Sequence, residues 1–360
     1  MSQIVASFFR SKFGQDKVPD LSGGKTFIVT GGSNGIGLSA ARTLYTHGAK
    51  VIIVSSQELT GSQAVAYIKS GNLEDAPHDY KEGFGAQKDN SANGATKDGE
   101  VEHKAVDFGD LNAVASVAKE LTKLDRLDGF LGIAGIGVKN FELTKDGYDR
   151  HLTVNALSHL LFLSHLLPLL EKTSKLPNTD VRIILEASEM HRTTWGGPSK
   201  KYGGDRFATE DEFKRDVGPT SLYGRTKLAD ILIVKAIVAK YLQPPSSVLA
   251  FSVHPGGVAT GQQEQFKEAY GETAGAIAST LLRPLARAAD DGALSALWAA
   301  TAPEARDGES FQNGDYFSDP AEDGKPSGEA TDEELRENFW RTSLSVIKKV
   351  VGAENAGTFA

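Results

Sequence analysis

Thr30-Gly31-Gly32-Ser33-Asn34-Gly35-Ile36-Gly37 joins two stretches of different period. Before it, Lys25-Thr-Phe-Ile-Val-Thr30 is a β-branched and aromatic run of the kind that forms a buried strand. After it, residues 34–47 have helical spacing, with Ile36, Ala40, Leu44 and Tyr45 on one side and Gly48 as the stop. Glycines between strand and helix allow a tight turn and let backbone N–H groups approach a pyrophosphate, while the helix start adds partial positive charge. A lone glycine pattern is an ordinary turn; placed between a strand and a helix it predicts a nucleotide phosphate site.

The alternation continues outward. Residues 51–54 form a second predicted strand, residues 101–106, 129–133, 181–185 and 248–253 four more, and residues 314–317 a seventh. Helical segments lie between them at 111–124, 146–170 and 222–242. This order predicts a doubly wound α/β fold, a mostly parallel seven-stranded sheet with helices on both faces. Residues 1–24 read as an N-terminal extension, 25–320 as a single domain, and 321–360 as a C-terminal loop and helix packing on it. That helix, 332–351, is spaced through Leu335, Phe339, Ile347 and Val350 and opens on Asp332-Glu333-Glu334, whose charges suit a helix N-terminus. Residues 71–100 have too little apolar content to offset their ordering entropy and are expected to be a polar insertion.

Composition narrows the function. The 360 residues carry a net charge of −8 with no long basic stretch, which argues against nucleic acid as a partner. The absence of cysteine excludes disulfides, thiolate metal sites and thiol catalysis. Arg10 and Lys12 interrupt the place of a signal-peptide core, so a cytoplasmic location is expected. The most apolar stretch, 157–170, is too short for a membrane span and is expected to be a buried helix. Ile4, Val5, Phe8 and Phe9 with Arg10 and Lys12 fit a short amphipathic helix docked on the protein's own surface, with weak contact to a membrane surface as the alternative. His151, His159 and His165 are too far apart in helical register to form a metal set, and no metal is expected.

Tyr223-Gly-Arg-Thr-Lys227 opens a helical segment, and residues four apart share a helix face. A phenol is a poor base at neutral pH, but a neighbouring ammonium favours the phenolate, so such a pair can exchange a proton with a carbinol or carbonyl oxygen. Ser188 follows the strand 181–185, where its hydroxyl can bond a developing alkoxide. Asn155 lies inside a predicted helix, where asparagine has low propensity and needs a polar reason. Taken singly, each has a bland reading: surface residues, a loop serine, a helix irregularity.

Together, the Gly31, Gly35, Gly37 spacing and the order Asn155, Ser188, Tyr223, Lys227 resemble the short-chain dehydrogenase/reductase family, over about residues 25–348. The resemblance implies a Rossmann-type fold and hydride transfer between a nicotinamide cofactor and a carbonyl or alcohol. Tyr223 would be the acid/base, Lys227 would lower its pKa and hold the ribose, Ser188 would orient the substrate oxygen, and Asn155 would support a proton relay through water. It assigns the cofactor to Gly31, Ser33, Asn34, Gly35, Ile36, Gly37, Ser55, Ser56, Asp107, Phe108, Ala134, Gly135, Tyr223, Lys227 and the Pro-Gly loop residues Pro255, Gly256, Val258 and Thr260. Glu142-Leu-Thr-Lys-Asp-Gly-Tyr and Gly314-Asp-Tyr-Phe-Ser-Asp319 are similar to the retinol-dehydrogenase-like branch, which includes many fungal oxidoreductases and works on apolar aldehydes, ketones or alcohols. Where the family has Asn-Asn-Ala-Gly, this chain has Gly132-Ile-Ala-Gly135, so the local support of sheet and cofactor must come from elsewhere.

Past the second strand stand Ser55-Ser56-Gln57, with neither the acid that favours NAD(H) nor the Arg expected for NADP(H). Glu58 reads as part of the next helix's first turn. Hydroxyls at Ser33, Ser55 and Ser56 with no acid to repel a phosphate favour NADP(H) over NAD(H). The resemblance places a substrate lid at 189–220 and 261–290. Met190, His191, Trp195, Tyr202, Phe207 and Phe213, then Phe266 and Tyr270, suit a bulky apolar or aromatic small-molecule substrate, although each taken singly is expected to pack the lid onto the domain. The rivals are a non-catalytic nicotinamide sensor or scaffold, and a nucleotide-sugar epimerase or dehydratase, whose G-x-x-G-x-x-G loop this chain lacks.

Overall fold

Alternate residues of the first strand feed two different cores. In β1 (Thr26–Thr30), Phe27 and Val29 join the cluster on one face and Ile28 that on the other; in β2 (Lys50–Ser55), Val51 and Ile53 oppose Ile52 and Val54 in the same way. A strand covered on both faces has no polar side to show, which is why these runs are continuously apolar. The computed structural model describes residues 13–82, 99–193, 206–257, 287–307 and 311–359. The sheet continues with β3 (Glu100–Ala105), β4 (Gly129–Gly132), β5 (Arg182–Glu186), β6 (Leu249–Val253), β7 (Tyr316–Asp319) and β8 (Glu322–Asp323).

The order is β3-β2-β1-β4-β5-β6-β7-β8, with the first seven strands parallel and β8 antiparallel. The sheet therefore has eight strands rather than seven. Glu322 and Asp323 are exposed and only two residues long, too short to show a period in sequence. β1 pairs with both β2 and β4, so the order reverses there and opens a crevice at the carboxyl ends of the strands.

Helices α1 (Gly35–Thr46) and α2 (Glu58–Ser70) cover one face. Helices α3 (Leu111–Leu121), α4 (Ser158–Thr173) and α5 (Pro219–Tyr241) cover the other. α6 (Ala289–Thr301) joins the first face and α7 (Glu333–Val351) the second. Asp332 caps α7 by accepting from the Leu335 N–H at 3.1 Å. The apolar middle stretch lies, as expected, inside the helical unit predicted over 146–170. Residues Arg150–Thr173 form 24 helical residues, long enough by length and composition to cross a membrane, but 94% of their most apolar window is buried in the core.

The polar insertion has narrower limits than 71–100. Residues 71–82 carry short helical turns that bury Ala76 and Tyr80, the latter with its ring 5.5 Å from that of Tyr67, and Glu100 starts β3. Two apolar side chains anchor that segment, which an average over thirty residues concealed. The remainder, 83–98, lies outside the described residues, as do the N-terminal residues 4–12.

Candidate active site

The glycine loop fits its expected role by steric necessity. Gly31 has φ +69°, and a β-carbon there would sit 2.9 Å from the Ala134 Cα, so only glycine lets the loop after β1 lie against the loop after β4. A β-carbon on Gly37 would collide with the Gly31 carbonyl. Asn34 caps α1, its Oδ1 accepting from the Gly35 N–H at 2.8 Å, while Ser33 and Ile36 are buried beside the helix start. This cradle of close backbone and a helix N-terminus fits a nucleotide pyrophosphate.

The lost asparagines leave no gap. Thr30 Oγ1 accepts from the N–H groups of Ile133 and Ala134 at 2.9 and 3.0 Å, tying the two loops together. His159 Nε2 lies 2.8 Å from the same oxygen. At Gly132 a β-carbon would press on the Leu185 side chain and the His159 ring, so the space of a larger residue is already filled.

The adenosine side is less open than the sequence indicates. Ser55 is buried and its hydroxyl lies 2.9 Å from His103 Nε2, while Ser56 is exposed. Glu58 does begin α2 and is exposed. Asp107 accepts from the Gly109 N–H at 2.8 Å and from Arg150 at 3.3 Å. The Phe108 ring turns into the core against His159 and Phe162, each at 6.0 Å, which leaves its backbone for any cofactor contact. Pro255 is buried and Gly256 has φ +81°; Val258 and Thr260 lie outside the described residues.

The four residues Asn155, Ser188, Tyr223 and Lys227 are brought together at the carboxyl ends of β4 and β5. Asn155 sits in a π-turn, Thr153–Leu157, at the start of the middle helix. Its Oδ1 accepts from the Ile136 N–H at 2.8 Å, and its Nδ2 donates to the Ile136 carbonyl and to Thr226 Oγ1, both at 3.0 Å. The asparagine thus clamps the loop after β4 to α5, one residue from Lys227. Ser188 follows β5, its hydroxyl accepts from the Met190 N–H at 3.2 Å, and it lies near enough to the Tyr223 phenol to favour that phenol's ionisation. The Lys227 ammonium is 5.8 Å from the Tyr223 ring centre. Deeper down, Arg225 Nη2 donates to Asp149 Oδ2 at 2.8 Å, and Asp149 caps the turn leading to Asn155.

The electrostatics add two residues that sequence reasoning missed. Burial raises the Tyr223 pKa; Lys227 pulls it back, while Glu186 and Asp230 push it further up. The lysine therefore acts in the expected direction, but the phenol's net shift is upward. Lys227 Nζ lies 3.2 Å from Asp230 Oδ2 and donates to the Glu186 carbonyl oxygen at 2.5 Å. Burial lowers the ammonium's pKa, but Asp230, Tyr223 and Glu186 together leave it above its ordinary value. Burial raises the Glu186 and Asp230 carboxyls to about 7, against the pull of Lys227. His159 is driven to about 3 by burial and Lys227, so it is neutral. Asp230 carried a legible signal, lying three residues past Lys227 on one helix face, and Glu186 another, as a charge at the end of an apolar run.

Of the lid aromatics, Phe207 and Phe213 pack on Phe339 of α7 with ring centres 4.9 and 6.1 Å away, and His191 is held between the Ser188 carbonyl and the Ser327 N–H. They pack the segment onto the domain, as expected for each singly. Trp195, Tyr202, Phe266 and Tyr270 lie outside the described residues. Among the described residues no group of three His, Cys, Asp or Glu is placed to hold a metal.

Residues 25–79 match the family model for short chain dehydrogenase. The chain is 31% identical over 346 residues to the oxidoreductase bli-4, mitochondrial, of Neurospora crassa, covering 94% of this chain and 75% of that protein. It is 26% identical over 359 residues to the short chain dehydrogenase/reductase dpchH of Colletotrichum higginsianum, covering 97% and 80%. Among solved structures, an uncharacterised Mycobacterium paratuberculosis protein superposes with a TM-score of 0.64 at 20% identity over 94% of this chain and 98% of its own. An NAD(P)-dependent gluconate 5-dehydrogenase from Beutenbergia cavernae, solved with bound NADP, superposes at 0.56 with 18% identity over 83% and 96%. These two share the fold. The Neurospora relative and the family model establish that the chain belongs to the short-chain dehydrogenase/reductase family of NAD(P)-dependent oxidoreductases.

Proposed function

We propose that the chain is an NADP(H)-dependent oxidoreductase of the retinol-dehydrogenase-like branch, interconverting an apolar or aromatic ketone or aldehyde with its alcohol. The observation that carries this reading is the convergence of the Tyr223 phenol, the Ser188 hydroxyl and the Lys227 ammonium beside the glycine cradle. The loop 31–37 and the start of α1 would hold the pyrophosphate, Ser33 and Ser56 the ribose phosphate, since the Ser55 hydroxyl is already bonded to His103, and Asp107 the adenine. Ala134, Gly135, Lys227 and the Pro255-Gly256 turn would hold the nicotinamide end. When bound, that group supplies or accepts the hydride.

Ser188 orients the substrate oxygen. Tyr223 gives that oxygen its proton in the reductive direction and takes it back in the oxidative one. The Lys227 charge offsets part of the burial that binds the phenolic proton. Asn155 keeps the loop after β4 and α5 in register and supports proton passage through water. The cytoplasm is the proposed compartment, tested by locating a tagged full chain; the Neurospora relative's name places that protein in mitochondria.

The test is consumption of NADPH and NADH by the purified chain against a panel of apolar and aromatic carbonyls, with Tyr223→Phe alongside. The expected result is turnover that prefers NADPH and falls about 100-fold or more in the variant, which still binds NADPH. A variant that keeps substantial turnover overturns the assignment of Tyr223, and a preference for NADH overturns the cofactor. Nucleotide binding without consumption in either direction favours the sensor.

A further inference from the structure

The turn after β6 is gripped by a charged pair that the proposed chemistry leaves unused. Gly256 takes φ +81°, and a β-carbon on it would lie 2.7 Å from Arg287 Nη1 and 2.9 Å from Arg287 Cζ, so the guanidinium rests against the turn. The Arg287 backbone N–H donates to the Gly257 carbonyl at 2.7 Å. Arg287 Nη1 and Nη2 donate to Asp319 Oδ1 and Oδ2 at 2.5 and 3.2 Å, a two-point fork that fixes the plane of the guanidinium. The two side chains are 24% and 26% exposed, which spares the pair much of the screening of an open surface.

Strand register puts Asp319 where the turn needs it. β6 and β7 are parallel with Val253 opposite Phe317, and the His254 N–H donates to the Phe317 carbonyl at 2.7 Å. Two residues further along each strand, Asp319 comes level with Pro255. Arg287 reaches it from a second element, two residues before α6, which is packed into the core of the first face. The turn is thus tied to the end of one strand and the start of one helix.

We propose that Arg287 and Asp319 are positioning residues that set the Pro255-Gly256 turn against the nicotinamide end of the cofactor; this rests on the reading of that turn as a nicotinamide holder. Gly256 has no side chain to keep it in one conformation, and the fork supplies that restraint from outside. The pair acts on one end of the cofactor only. β2, which leads to the adenosine side, stands four strand spacings from β6 in the sheet order, about 19 Å away. A turn misplaced by about 1 Å would spoil the approach of the hydride carbon while the adenosine stays bound.

The probes are NADPH, whose emission reports the dihydronicotinamide ring, and 2′,5′-ADP, which carries the adenosine end alone. Neither needs a carbonyl substrate, and NADH and ADP take their places if the chain prefers NADH. In the full-length wild type, bound NADPH should emit differently from free NADPH. Asp319→Asn keeps size and Arg287→Lys keeps charge, and both lose the fork. In each, the emission difference should shrink by about half or more, and kcat with saturating NADPH and carbonyl should fall about tenfold or more. Affinity for 2′,5′-ADP should stay within about twofold of wild type. Wild-type emission and kcat in the variants overturn the proposal. A fall in 2′,5′-ADP affinity in step with that for NADPH also overturns it, since the pair would then only hold the fold together. Should one variant not fold, the other carries the comparison. A wild type whose bound NADPH emits like the free nucleotide overturns the reading of the turn instead, because the ring then meets no protein.

Discussion

Thr30 Oγ1 and His159 Nε2 lie 2.8 Å apart, joining the end of β1 to the middle helix. The other ring nitrogen, Nδ1, is 2.9 Å from the Asn155 carbonyl, which can only accept, so Nδ1 carries the proton and Nε2 takes the Thr30 hydroxyl hydrogen. The Thr30 oxygen is then free to accept from the Ile133 and Ala134 N–H groups. One tautomer satisfies every member of the chain, from the cofactor loops to the π-turn that carries Asn155.

Thr30→Val removes the shared oxygen and strands two buried N–H groups and Nε2. The expected cost is about 1–3 kcal/mol of stability, together with weaker nucleotide binding. Urea denaturation and NADPH fluorescence titration measure the two effects. Unchanged values for both would sink the role given to this contact.

Burial of the same histidine, with the Lys227 charge near it, sets a pH dependence. Folded His159 has its pKa depressed to about 3, whereas an unfolded histidine takes up a proton near its ordinary value of 6.5. Its stabilising contribution is complete above about pH 6.5 and is lost at up to about 1.4 kcal/mol per pH unit as pH falls toward the folded value. Glu186 and Asp230 work in the opposite sense, since raised carboxyls cost stability as pH climbs from the ordinary acid range through about 7. His159→Gln keeps a donor and an acceptor and does not titrate. Its Tm should fall less steeply between about pH 6 and pH 4 than that of the wild type; parallel curves assign the acid sensitivity elsewhere.

Gly31→Ala places a β-carbon against the Ala134 backbone at a residue whose φ is +69°. Backbone cannot yield as a flexible side chain can, so the two loops must part. Expected are a loss of about 1–3 kcal/mol and nucleotide affinity reduced more than tenfold. Calorimetric titration with NADP⁺ checks the second figure, and wild-type affinity would contradict the steric argument.

Arg225→Leu leaves Asp149, fully buried, without its guanidinium. Arg225 and the neighbouring His151 hold the Asp149 carboxyl below the ordinary aspartate range despite the burial that opposes them. An uncompensated buried carboxylate should cost about 3–5 kcal/mol in denaturant unfolding. Asp149 also caps the turn before Asn155, so the variant should lose turnover along with stability. A loss below about 1 kcal/mol would show the pair to be dispensable.

Much of this was legible in the chain itself. The apolar runs of β1 and β2, the α1 start at Asn34 and the shared helix face of Tyr223 and Lys227 were readable because each is a local pattern. β8 was not, because two exposed acidic residues have no period and pair only when β7 is already in place. Tyr80 was hidden by the polar residues around it, and its burial against Tyr67 comes from a contact between segments that sequence does not align.

The sequence by itself determined the α/β alternation, the glycine cradle and the placing of Tyr223 and Lys227 on one helix face, since these follow from steric and helical spacing within a few residues. Tertiary structure alone decided the charge states. Glu186 meets Lys227 across 41 residues of chain, and Thr30 meets His159 across 129. Desolvation and neighbouring charges shift a pKa, and both are properties of the packed interior that no single stretch of sequence contains.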